Sequence, residues 1–166
     1  MDNQGAGSPE PTANLGSTTV AQVAIVVRDI EESAKRYAEV FGLPAPNIVL
    51  TSPGLEVNAT YNGKPTDARA KLAFLNLGQV QIELIEPLGG ESVWQAALDA
   101  KGEHVQHIAF WVEGMQKSVD FLKSKGIPMV QRGDMGDGQY AYFDADDKLG
   151  VTLELLERVR DGRAVG

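Results

Sequence analysis

The feature that most limits how this chain can fold is that it repeats itself. An apolar run beginning at Gln22 (QVAIVV) and another beginning at His107 (HIAFWV) each lead into a helical stretch that ends on a glycine. Those glycines, Gly42 and Gly126, follow the polar opening residue by twenty and nineteen positions. Each half then closes on a segment of one design, QIELIE at 81–86 and TLELLE at 152–157. A short repeated unit of this kind cannot cover its own apolar faces, so the two halves are expected to pack around a shared interior.

Within the first half, Val20–Val27 is rich in β-branched residues and reads as a buried strand. Asp29 has the side chain of a helix N-cap and Glu32 completes a capping box, after which Ile30, Ala34, Tyr37, Ala38 and Phe41 recur at helical spacing up to Gly42. The second half places Met115, Val119 and Leu122 on one helical face before Gly126. Further strands are expected near 56–61 and 70–77 in the first half, and near 128–132 and 140–144 in the second. Ser92 and Gln95 make another capping box, opening a helix (SVWQAALDAK) that stops at Gly102. The expected fold is therefore α+β: two βαβββ modules at 19–90 and 104–158, joined by a linker helix at 91–103. Residues 1–18, rich in Gly, Pro, Ser, Asn and Thr, are expected to form a flexible tail, and 159–166 a C-terminal tail.

Charge and composition narrow the partners. With a net charge of -8 and a pI near 4.7, the 166-residue chain is a poor match for nucleic acid or an anionic membrane, which are bound through clustered Lys and Arg. It contains no cysteine, so a bound metal must be held by oxygen and imidazole ligands. No apolar run reaches the roughly 20 residues of a membrane span, and residues 1–19 lack the pattern of a signal peptide, which leads to the expectation of a cytoplasmic protein.

The chemistry-bearing residues come from the repeat. Strand side chains alternate faces, so Glu83 and Glu154 each sit in mid-strand between apolar neighbours. An unpaired carboxylate buried there costs several kcal/mol, and two of them call for a cation. Gln22 and His107 occupy equivalent opening positions of the two halves. Taken singly, each of the four is an ordinary strand residue; their matched placement is what points to one shared site. His104 reads as a surface residue.

These modules, each with a polar residue opening its first strand and an ELIE or ELLE closing strand, resemble the vicinal-oxygen-chelate superfamily over about 20–157. The resemblance implies that each module curls its sheet into half a barrel, with a divalent metal ion (Zn, Ni, Co or Mn) between Gln22, Glu83, His107 and Glu154. The stretches VAIVVRDIEESAKRYAEVFGLP, QIELIEPLGGES, VQHIAFWV and FDADDKLGVTLELLE resemble methylmalonyl-CoA epimerases, in which the first ligand is usually His. The set Gln, Glu, His, Glu resembles that of eukaryotic glyoxalase I. Both imply proton abstraction beside a carbonyl with a metal-stabilised enediolate, hence an isomerase, epimerase or lyase. Glu154 is then the expected base and Asp67 a second catalytic carboxylate. The substrate is expected to be a small carbonyl compound or an acyl-CoA, and a homodimer is possible. Lys64, Arg69, Lys71 and Arg132 are candidates for a phosphate-binding rim; Tyr61, Trp94, Trp111 and Tyr140 are candidate pocket walls, and the glycine-rich 132–138 reads as a surface hairpin or as a lid over the cavity. Two alternatives stay open within the same fold: a non-enzymatic binder of small molecules such as drugs, and a ring-cleaving dioxygenase.

Overall fold

The computed structural model describes residues 13–160 and 163–165. Its elements in chain order are β1 (Gln22–Val26), α1 (Ile30–Phe41), β2 (Ile48–Leu50), β3 (Thr60–Tyr61), β4 (Lys64–Pro65), β5 (Arg69–Asn76) and β6 (Gln81–Leu88). There follow α2 (Val93–Lys101), β7 (His104–Trp111), α3 (Met115–Ser124), β8 (Met129–Met135), β9 (Gly138–Phe143), α4 (Asp146–Leu149), β10 (Thr152–Arg160) and β11 (Arg163–Val165). One mixed sheet runs in the order β2-β5-β6-β1-β7-β10-β9-β8-β3-β4, with β11 on β10. In each half the opening strand lies parallel to the closing one, β1 beside β6 and β7 beside β10. The halves meet where β1 and β7 pair antiparallel. The result is the expected α+β pair of βαβββ modules curled into a half-barrel.

Period-two alternation gives the sheet two apolar faces. On the outer face α1 buries Ile30 and Ala34 against Val27, Ala73, Leu75 and Leu84, while α3 buries Met115 and Leu122 against Ala141, Phe143, Leu153 and Leu155. Each large aliphatic side chain removed from water contributes about 1.5–3 kcal/mol. On the inner face α2 inserts Val93, Trp94 and Leu98 against Ala24, Val26, Ala70 and Ile85. Gln131, on β8 of the second half, accepts the Val93 N–H at 2.8 Å, so the linker helix is tied to both halves.

The caps form as the residues dictate. Asp29 accepts from Glu32 N at 2.9 Å, Ser92 from Gln95 N at 3.1 Å, and Gly42 ends α1 with φ 65. Helix α3 starts at Gly114, which has no side chain to cap it. Glu157 takes over: its Oε1 accepts from Gly114 N at 2.6 Å and Met115 N at 2.9 Å. Glu86 accepts from Ile30 N at 2.9 Å in the same way. The second glutamate of each closing strand therefore fastens a helix to the sheet.

Several boundaries differ from expectation. The strand expected at 56–61 is largely a 3-10 turn, Gly54–Val57, followed by the two-residue β3, which crosses to pair with β8 of the other half. A Cβ on Gly54 would lie 2.3 Å from Thr66 O, so the chain can turn there only as glycine. The outer strand of the first half is instead Ile48–Leu50, a three-residue edge strand with exposed side chains. Residues 132–138 form the β8–β9 hairpin, the surface hairpin of the two readings, paired as far as Met135↔Gly138. Part of the expected C-terminal tail is strand, since Arg163–Val165 pair with β10. Of the expected tail at 1–18, residues 1–12 lie outside the described residues and Leu15 packs on the α3 side of the core. His104 is the first residue of β7, with Nδ1 2.7 Å from Gly102 O. No helix among the described residues is long and apolar enough to cross a membrane.

Candidate metal centre

The sheet register assembles the site. Across β6, β1, β7 and β10 one row reads Glu83↔Ala24↔His107↔Thr152, and the next reads Gln81↔Gln22↔Ala109↔Glu154. The two rows are images of each other: Gln22 matches His107, Glu83 matches Glu154, and Ala24 matches Ala109. Neighbouring strands are about 4.8 Å apart, so Glu83 and His107 stand roughly two spacings apart with only the methyl group of Ala24 between them. Ala24 and Ala109 are both fully buried and form a floor of small residues, over which the long side chains converge.

Glu83 Oε2 lies 3.4 Å and Glu154 Oε2 3.1 Å from His107 Nε2. The three residues are 6%, 4% and 0% exposed. None of the three atoms makes a hydrogen bond, although all lie within 4.8 Å of one another. Buried polar atoms left unpaired are costly, and three that converge on one point fit a shared cation. Two carboxylates and an imidazole form a hard-to-borderline donor set that suits a divalent ion such as zinc, nickel, cobalt or manganese. Burial pushes the Glu83 carboxyl above its usual range, and the nearby Glu154 pushes it further. For His107 burial alone would lower the pKa, but attraction from Glu154 and Glu83 outweighs it and raises the value to about 9. Without metal, the cluster therefore holds on to protons.

Gln22 stands beside this trio on the wall of the same cavity. Its Nε2 donates to Gln81 Oε1 at 2.7 Å, and Gln81 Nε2 donates to Asn76 Oδ1 at 2.8 Å. This amide chain commits the nitrogen of Gln22 and leaves its oxygen as the atom suited to a cation.

The cavity holds about 350 Å³, within the range of small-molecule sites. Glu83 and Glu154 lie on its wall with Leu72, Phe74, Trp94, Trp111, Tyr140 and Met135. Of the aromatic candidates, Tyr61 is not there; it lines a separate depression of about 480 Å³ between α2 and the start of β7. Tyr142 was missed by the sequence reading, yet it lines the cavity and packs edge-on against His107 with ring centroids 5.0 Å apart. The signal was the alternation of QYAYF, which sets Tyr142 on the face of Tyr140. Tyr140 is pushed up to about 12 and Tyr142 well above 10, first by burial and then by the charge of Glu154. Both keep their hydroxyl protons. Gly133 makes room for Tyr140, whose hydroxyl would lie 2.5 Å from a Cβ at that position.

Asp67 is not brought to this centre. It is exposed, sits in the segment before β5, and its Oδ1 lies 3.5 Å from Leu55 N. Nor do the expected basic residues line the cavity. Lys71 points to the opposite face, 2.8 Å from Glu31 and 3.4 Å from Glu86. Arg69 donates to Thr51 O at 2.8 Å, while Lys64 and Arg132 are exposed.

A sequence profile of the Glyoxalase/Bleomycin resistance protein/Dioxygenase superfamily matches residues 21–143. Uncharacterized protein YqjC of Bacillus subtilis (strain 168) is 30% identical over 95 residues, which is 55% of this chain and 67% of that one. The mitochondrial methylmalonyl-CoA epimerase of Mus musculus is 29% identical over 107 residues, covering 63% of this chain and 52% of the mouse protein. In fold the chain is similar to the crystal structure of methylmalonyl-CoA epimerase from Mycobacterium tuberculosis, with a TM-score of 0.57 at 22% identity over 86% of this chain and 89% of that one. With its duplicated modules and the matching profile across most of its length, the chain belongs to the Glyoxalase/Bleomycin resistance protein/Dioxygenase superfamily.

Proposed function

We propose that this chain is a metal-dependent isomerase, epimerase or lyase that removes a proton from the carbon next to a carbonyl. The observation that carries the reading is the buried trio of unpaired ligand atoms, Glu83 Oε2, His107 Nε2 and Glu154 Oε2, whose two carboxylates stand on the wall of an aromatic cavity. Those three residues, with the Gln22 oxygen, would hold the ion. When bound, a divalent ion supplies Lewis-acid stabilisation of the negative charge that develops on the substrate's oxygens. Two carboxylates balance its charge, so the loaded site is formally neutral before substrate arrives.

The chain's own groups do the rest. Glu154 faces the cavity and is the base we assign to the substrate C–H, since a carboxylate on the wall can reach a carbon held beside it. Tyr140 and Tyr142, kept protonated, offer hydroxyl donors to substrate oxygens. Trp94 lines the same wall, and its buried Nε1–H has no acceptor among the described residues. The hairpin tip at Met135 and Gly136 narrows the cavity and helps to exclude water. None of the described lining residues is Lys or Arg, which favours a compact carbonyl substrate over the phosphate-rich coenzyme A part of an acyl-CoA. A ring-cleaving dioxygenase with two His ligands and one carboxylate is disfavoured, because the other histidine, His104, lies outside the cavity.

The test is solvent-deuterium exchange into small 2-oxo compounds by metal-loaded protein. Exchange is expected next to the carbonyl, falling by about 10²–10⁴-fold in Glu154→Gln. An unchanged rate in that variant would remove Glu154 from the role of base.

A further inference from the structure

The pairing of β1 with β7 contains an irregularity at the metal centre itself. Ala24 faces His107 and Ile25 faces Val105, so Gln106 is an extra residue opposite β1, a β-bulge. In a regular strand, Gln106 and His107 would point to opposite faces. Here both are buried, Gln106 to 3% exposure, and Gln106 Oε1 lies 2.7 Å from His107 Nδ1.

An amide oxygen can only accept, so this contact requires the ring hydrogen on Nδ1. In the neutral ring that coordination of a metal requires, the lone pair then falls on Nε2, the atom between Glu83 and Glu154. With the amide reversed, an N–H donor would face Nδ1 and the ring hydrogen would move to Nε2, where it blocks coordination. The observed orientation leaves Gln106 Nε2 buried with no hydrogen bond. The amide thus meets the imidazole's need while its own donor goes unpaired.

We propose that Gln106 is the positioning residue of the metal centre, placed by the bulge to hold His107 in the tautomer whose Nε2 binds a divalent ion. The inference rests on reading the trio as a metal site. Nothing in composition or strand periodicity marks Gln106 for this role, since an unbulged β7 would carry it away from the site. Such outer partners of a ligating imidazole typically account for a factor of 10–100 in metal affinity.

The experiment uses the full chain and zinc alone, with two readouts: zinc affinity by chelator competition, and the ring proton of His107 followed by ¹H–¹⁵N NMR of the zinc-loaded protein. The parent is expected to show a slowly exchanging proton on Nδ1. Gln106→Leu is expected to lose that signal and to bind zinc 10–100-fold more weakly. Gln106→Glu, which keeps an acceptor in place, is expected to restore the signal and most of the affinity. A zinc-loaded parent with the ring proton on Nε2 overturns the proposal without recourse to any variant. So does a folded Gln106→Leu with the parent's affinity and ring signal. If the parent fails to bind zinc, this inference falls, while the metal reading itself falls only if nickel, cobalt and manganese are not bound either.

Discussion

The metal-free protein should become less stable as the solution turns alkaline, and the structure gives the size of the effect. The His107 imidazole has its pKa raised from 6.5 to about 9 in the folded chain, because Glu154 and Glu83 hold its proton against the cost of burial. A group that binds its proton more tightly when folded contributes stability in full below its unfolded pKa, here 6.5, and loses that contribution as pH rises through about 9. At about 1.4 kcal/mol per unit, the loss across this window is roughly 3 kcal/mol. Glu83 is raised as well and acts with the same sign, so nothing in that carboxyl offsets the loss. With a urea dependence of about 1–3 kcal/mol per molar, the unfolding midpoint of chelator-treated protein should fall by about 1–3 M between pH 6.5 and 9. Metal-loaded protein should behave in the opposite sense, because the ligands must shed protons to coordinate and affinity therefore grows with pH. A flat midpoint across that window in metal-free protein would refute the electrostatic account of the cluster.

Two further predictions test the scaffold. Ala24→Leu fills the floor between Glu83 and His107, so zinc retention should be lost while the fold, judged by circular dichroism, survives; retained zinc would show that the small floor is not required. Glu157→Ala leaves the Gly114, Met115 and Gln139 N–H groups without their acceptor, which should cost about 1–3 kcal/mol in urea unfolding; Glu86→Ala, which frees one such helix N–H, should cost less.

Much of this arrangement could be read from the chain because duplication leaves a regular trace. Gln22 with His107 and Glu83 with Glu154 stand at equivalent places in two copies of one unit, and the sheet register makes them images across β1 and β7. The capping boxes at Asp29 and Ser92 act as local sequence dictates. What escaped the sequence was set by tertiary pairing. The edge strand Ile48–Leu50 is short and shows no alternation, and its ladder comes entirely from β5. Thr60–Tyr61 finds its partner about seventy residues away, in the other half. Gln106 reaches His107 only through a bulge that periodicity cannot reveal, and the buried Ala24 and Ala109 gain meaning only once their neighbours are known. Asp67, expected at the site by resemblance, lies exposed in the segment before β5 instead.

The central claim is that Glu83, His107 and Glu154 share one divalent ion. Metal analysis of the full chain, purified without chelator and dialysed against zinc, nickel, cobalt or manganese, tests it most directly. The account predicts one ion per chain, lost in the Glu83→Ala, Glu154→Ala double variant. Parent protein that retains no divalent ion, or a double variant that retains as much as the parent, would contradict it.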